Sequence, residues 1–168
     1  VKLLETAMTK LGGKLVALDS NPIDHIWADQ PEPPLAEVTI QPLEFAGKTA
    51  REKLAEMRDA LAKAKADATV LTDPSSLAWT FNIRGNDVPH TPMPLGFALI
   101  RATGDPIVFL DERKLPIKSR AYLTQLAEIL PPSDLPSALI EIAAGKTIAL
   151  DPALAAEKLR SLVIDAGG

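Results

Sequence analysis

Apolar side chains recur at Leu3, Leu4, Ala7, Met8 and Leu11 with the three- and four-residue spacing of one helix face, and Gly12-Gly13 closes the segment. The short apolar run Lys14 to Leu18 reads as a buried strand. From Asn21 to Glu37 the chain is proline-rich and without period, which predicts a long loop. Thr49-Ala50-Arg51-Glu52 has the form of a capping box, and Ala50, Leu54, Met57, Leu61 and Ala64 follow on one helical face with Arg51, Glu52, Arg58, Asp59 and Lys63 outside. Ala68 to Thr72 suits a central strand, and Asp73-Pro74 supplies an N-cap and a first-turn proline for a helix running to about Phe81.

Further along, Leu95–Arg101 and Pro106–Leu110 are apolar runs separated by Thr103-Gly104-Asp105, the signature of an antiparallel hairpin. Tyr122, Leu123, Leu126, Ile129 and Leu130 predict a second amphipathic helix, stopped by Pro131-Pro132. A shorter helix over Leu135–Ala144, a strand over Thr147–Leu150 and a helix from Asp151-Pro152 through Leu162 complete the pattern. Alternating strands and helices with one hairpin give an α/β domain, a mixed β-sheet flanked by helices. The last residues, Val163 to Gly168, read as flexible, and with the opening Val1 they suggest a piece of a longer chain.

Composition narrows the function. The 168 residues are 46% hydrophobic, sufficient for a single core, since domains cluster near ~100–150 residues. Eighteen Lys and Arg against 22 Asp and Glu leave a net charge of −4, so no basic excess points to nucleic acid. There is no cysteine, which removes disulfides, thiolate metal sites and cysteine nucleophiles and fits the cytoplasm. No run approaches the ~20 apolar residues of a membrane span, nor does the start resemble a signal peptide.

Few motifs carry chemistry. Gly47-Lys48-Thr49 and Gly145-Lys146-Thr147 end like phosphate loops, but the earlier glycine is replaced by Pro42 and Ile140. The two histidines, His25 and His90, lie in separate loops without the spacing of a metal site, and no Gly-x-Ser-x-Gly turn exposes a nucleophile. The crowded stretch Trp79-Thr80-Phe81-Asn82-Ile83-Arg84-Gly85-Asn86-Asp87-Val88-Pro89-His90 stands out. Its functional reading has Arg84, held by the Gly85 turn, presenting a guanidinium to a carboxylate or another protein surface, with Asp87, His90 and Trp79 beside it. Its structural reading, which sequence logic favours, has Gly85 and Arg84 capping the helix, Asn86 or Asp87 bonding their own turn, and Trp79 in the core.

Two stretches carry a resemblance. Asn21-Pro22-Ile23-Asp24-His25-Ile26-Trp27-Ala28-Asp29-Gln30-Pro31 resembles the Asn-x-Val-Asp-x-x-Trp-x-Asp-Arg-Pro segment of the large three-domain Xaa-Pro aminopeptidases, also called aminopeptidase P. Phe45-Ala46-Gly47, Glu52-Lys53-Leu54, Leu77-Ala78-Trp79 and Asn82-Ile83-Arg84-Gly85-Asn86-Asp87-Val88-Pro89 are similar to that family's later motifs, in the same order and spacing. Gln30 stands where the family usually has Arg, so an ion pair made by that Arg is not carried over.

The resemblance implies the middle, second creatinase-type N-terminal domain, with a ribonuclease H-like sheet, over residues 14–168, and residues 1–13 as the last helix of a preceding domain or a linker. The family's pita-bread catalytic domain, with its two divalent ions, manganese by expectation, would lie outside this chain. Asn21, Asp24 and Trp27 form the family-motif loop. Arg84, Asp87, His90 and Trp79 are the candidates for a substrate cleft or interdomain contact, and no residue here is expected to be catalytic or to bind metal. The implied partners are the first N-terminal domain and the catalytic domain of the same chain, within a homodimer. The competing expectation is an independent α/β module that binds a small ligand or a protein through the Arg84 loop. A self-sufficient hydrolase fits worst, for want of a ligand cluster or nucleophile motif.

Overall fold

The computed structural model describes residues 1–18 and 20–168. The chain divides into two compact units, Val1–Pro33 and Pro34–Gly168. In the first, α1 spans Lys2–Lys10 and ends ahead of Gly12, whose φ of 72° is the left-handed geometry a glycine accepts readily. A five-residue helix, α2, spans Pro22–Ile26 inside the segment expected to be loop. Asn21 starts it by accepting the Ile23 N–H at 3.1 Å, and Pro22 occupies the first turn. The strand expected over residues 14–18 is not formed. Val16 and Leu18 are exposed there, and a short apolar run without a ladder partner gains nothing from extended pairing.

The second unit contains β1 (Thr39–Ile40), α3 (Leu43–Ala46), α4 (Ala50–Ala64), β2 (Ala68–Leu71), α5 (Pro74–Phe81), β3 (Ile83–Arg84), β4 (Phe97–Arg101) and β5 (Ile107–Phe109). It continues through α6 (Ile117–Leu123), β6 (Glu128–Leu130), α7 (Leu135–Ala143), β7 (Ile148–Ala149) and α8 (Glu157–Asp165). The main sheet has the order β6-β5-β4-β2-β7, with β4 antiparallel to both neighbours and β5–β6 and β2–β7 parallel. It is therefore the expected mixed sheet. β1 and β3 form a separate antiparallel pair, Thr39 opposite Arg84 and Ile40 opposite Ile83.

The period-two alternation of strands builds a three-layer core. Ala98, Ile100 and Val108 pack with Leu54, Leu61, Leu77, Phe81 and Leu123 on one face, while Leu99, Ile107 and Phe109 pack with Leu135, Leu139, Leu159 and Val163 on the other. Helices α4, α5 and α6 thus cover one side and α7 and α8 the other.

The capping box forms in full: Thr49 Oγ1 accepts the Glu52 N–H at 3.3 Å, and Glu52 Oε2 accepts the Thr49 N–H at 2.8 Å. Two residues of α4 depart from the expected faces, Ala64 being exposed and Arg58 half-buried. The largest correction concerns residues 122–130. The apolar positions fit a helix, but α6 stops at Leu123 and residues 128–130 extend as the edge strand β6, where Ile129 pairs with Val108. A run this short is ambiguous by period, and the free edge of β5 decides it. Likewise, Asp151 accepts the Ala153 N–H at 2.7 Å and makes a turn, so the last helix begins only at Glu157. It then runs through Asp165, across residues expected to be flexible.

Candidate functional site

Asp73 starts α5 by accepting the Ser76 N–H at 2.9 Å, and Asn82 ends it in the left-handed conformation with φ 50°. Asn82 is thus the helix cap in place of the expected Gly85; asparagine tolerates this geometry better than most residues. Its side chain holds two elements together. Oδ1 accepts from Lys53 Nζ at 2.6 Å, and Nδ2 donates to the Lys48 carbonyl at 2.8 Å.

Lys53 is 2% exposed, and its Nζ also donates to the Trp79 carbonyl at 2.8 Å and lies 4.4 Å from the centroid of the Trp79 ring. Its ammonium has only neutral acceptors and an aromatic face, with no ion pair among the described residues. Desolvation pushes the lysine below its ordinary value, and the positive charges of Arg84 and Lys48 push it the same way.

Trp79 is 51% exposed and not in the core, a correction to its structural reading. Arg84 is half-buried and donates from Nη1 to the carbonyls of Ile83 at 2.8 Å and Ala78 at 3.4 Å. It serves the end of α5 as the capping alternative expects and faces no carboxylate among the described residues. Gly85 has a different task from the one expected. A Cβ there would stand 2.9 Å from Pro94 Cα, so a glycine lets the two sides of the proline loop close on each other.

Asp87 is buried within that loop and ion-paired to the buried Lys114. Its carboxylate also accepts the N–H groups of Leu95 at 2.6 Å and Ala36 at 3.2 Å, while Lys114 donates to the Leu95 carbonyl at 2.8 Å. The Leu95 bond reaches across the loop and the Ala36 and Lys114 contacts tie it to distant segments, where the sequence suggested a bond within one turn. His90 is exposed at the loop's tip with φ 60°. The structure therefore joins Trp79, Arg84, Asp87 and His90 through one segment but gives them different environments: two interior braces and two exposed side chains.

In the other unit Asn21 caps α2 and donates to Asp24 at 3.1 Å, Trp27 is exposed, and His25 shares a hydrogen bond with Ser20 at 2.9 Å. Among the described residues no group of three His, Asp or Glu side chains converges to hold a metal ion. Sequence reasoning missed Lys53 and Lys114. For Lys53 a signal existed, because position 53 lies three residues after Ala50 and four before Met57, on the buried face of α4. For Lys114 no local pattern marks burial.

A family model for the creatinase/prolidase N-terminal domain matches residues 29–167. The probable Xaa-Pro aminopeptidase P of Ajellomyces capsulatus is 36% identical over 134 residues, 79% of this chain and 21% of that protein. Its counterpart in Leptosphaeria maculans is 34% identical over 128 residues, 76% of this chain and 21% of that protein. Among solved structures, the X-prolyl aminopeptidase of Caenorhabditis elegans, described as a cytosolic enzyme with a di-nuclear active site, aligns with a TM-score of 0.78 at 28% identity, over 83% of this chain and 23% of that one. The chain spans about a fifth of the length of the curated relatives it matches.

Proposed function

The chain belongs to the creatinase/prolidase N-terminal domain family, and from that premise we propose that it is a non-catalytic accessory segment of a metal-dependent Xaa-Pro aminopeptidase. The parent polypeptide would remove an N-terminal residue preceding proline. The observation that carries this reading is the match to probable Xaa-Pro aminopeptidases P at 36% identity over four-fifths of this chain and only a fifth of theirs.

The donor set supports the same division of labour. Two metal ions need several carboxylates and an imidazole converging, whereas Asp87 is occupied by Lys114, His25 by Ser20, and His90 stands alone at a loop tip. The described residues do not fit a di-nuclear centre, and our reading assigns the two ions, as manganese, to the catalytic part of the parent polypeptide. The C. elegans enzyme is described as cytosolic, and on that likeness we place the parent in the cytoplasm.

Within the parent, a preceding N-terminal domain and the catalytic domain are the proposed neighbours, in a homodimer. The exposed Trp79 on α5 and His90 on the proline loop are the contact candidates, while Arg84 braces the end of α5 and Asp87 braces the loop. Asn21, Asp24 and Trp27 form a second motif whose Trp27 is free to meet a neighbour. The test is the product of the natural reading frame. It should continue past Gly168 into a segment with clustered Asp, His and Glu, and cleave Xaa-Pro peptides with added manganese. A stop codon close to Gly168, or a full product inactive on such peptides, would overturn the proposal.

A further inference from the structure

A cleft of about 460 Å³ opens between α4, the turn after β4 and the segment joining α6 to β6. This is within the size range of small-ligand sites. Three arginines line it. Arg51 and Arg58 lie two turns apart on α4 with Leu54 between them, and Arg101 is the last residue of β4.

Each guanidinium is pinned by one bond to a loop carbonyl: Arg51 Nη2 to Gln125 at 2.8 Å, Arg58 Nη2 to Gly104 at 2.7 Å, and Arg101 Nε to Asp105 at 2.7 Å. A guanidinium carries five N–H donors, so each retains donors beyond the pinning bond. Pinning also removes rotamer freedom that a ligand would otherwise have to freeze.

Two observations exceed what loop stapling explains. None of the three arginines forms an ion pair among the described residues, although Asp105 and Glu128 also line the cleft. Moreover, Arg58 Nε is buried without a hydrogen-bond partner. Buried donors are almost always satisfied, and three positive charges that share a cleft with only two carboxylates, neither of them ion-paired to an arginine, repel one another. A planar fork of N–H groups matches carboxylate and phosphate oxygens.

We propose that this cleft binds a small multivalent oxyanion, a phosphate or a polycarboxylate, through Arg51, Arg58 and Arg101. The site is independent of any peptidase chemistry, and the ligand's charge must outweigh the two carboxylates that share the lining.

The test is calorimetric titration of the 168-residue chain with pyrophosphate and, separately, with citrate at low chloride concentration. Saturable one-to-one binding that weakens with salt is expected, and the tighter of the two probes assigns the ligand to phosphate or carboxylate chemistry. Arg58→Lys and Arg101→Lys keep the charge but lose the fork, and each should weaken binding by about tenfold with little change in melting temperature. Lys63→Gln, exposed on α4 away from the cleft lining, should bind as the parent chain does. Absence of saturable binding to both probes, or equal affinity in all three variants, would overturn the site.

Discussion

Asp87 shows how far a residue's role can lie from its neighbourhood in sequence. Its position between a glycine and a run of prolines suggested a turn-forming or presented carboxylate, yet it is buried against Lys114, 27 positions away. Removing one member of a buried pair leaves the other charge uncompensated. Asp87→Asn should therefore destabilise the fold by about 3–5 kcal/mol in denaturant unfolding. Lys53 gives a pH signature of opposite sign to an ordinary lysine ion pair. Its folded value lies below the ordinary 10.5 through burial, so below the folded value both states are protonated and stability does not change with pH. Between that value and 10.5 the unfolded chain binds more protons, and stability rises as pH rises. Thermal melts over that window should show the rise in the parent chain and lose it in Lys53→Met. Arg84 and Trp79 were legible as a pair of interest, but their assignments as buried or presented were not. Those depend on where α5 ends, and Asn82 ends it in a conformation that no periodicity announces.

Element by element, long periodic segments with explicit caps were readable. Helix α4 starts where the Thr49–Glu52 box places it, because both halves of the box satisfy N–H groups the helix cannot. Thr49→Ala should cost about 1 kcal/mol, read from the shift of the chemical-denaturation midpoint. The hairpin β4–β5 and the Asp73-Pro74 start of α5 were equally clear, since each rests on local turn or cap chemistry. Short apolar runs were not. Residues 128–130 became a strand because β5 offered a parallel edge, whereas residues 14–18 remained without regular structure. Similar local signals gave different outcomes because pairing partners lie elsewhere in the chain.

For the molecule as a whole, the mixed sheet followed from the order of elements and the candidate loop from its composition. The cleft of arginines did not, since Arg51, Arg58 and Arg101 meet only once α4 is laid across the hairpin. We propose that this chain, a creatinase/prolidase N-terminal domain, is an accessory part of a longer peptidase and performs no peptide hydrolysis itself. The direct measurement is turnover of an Xaa-Pro peptide, with manganese, by the purified 168-residue chain beside the full natural polypeptide. The account predicts turnover by the full polypeptide and none above background by the chain alone. Metal-dependent cleavage by the chain alone, abolished by chelation and restored by added metal, would contradict it.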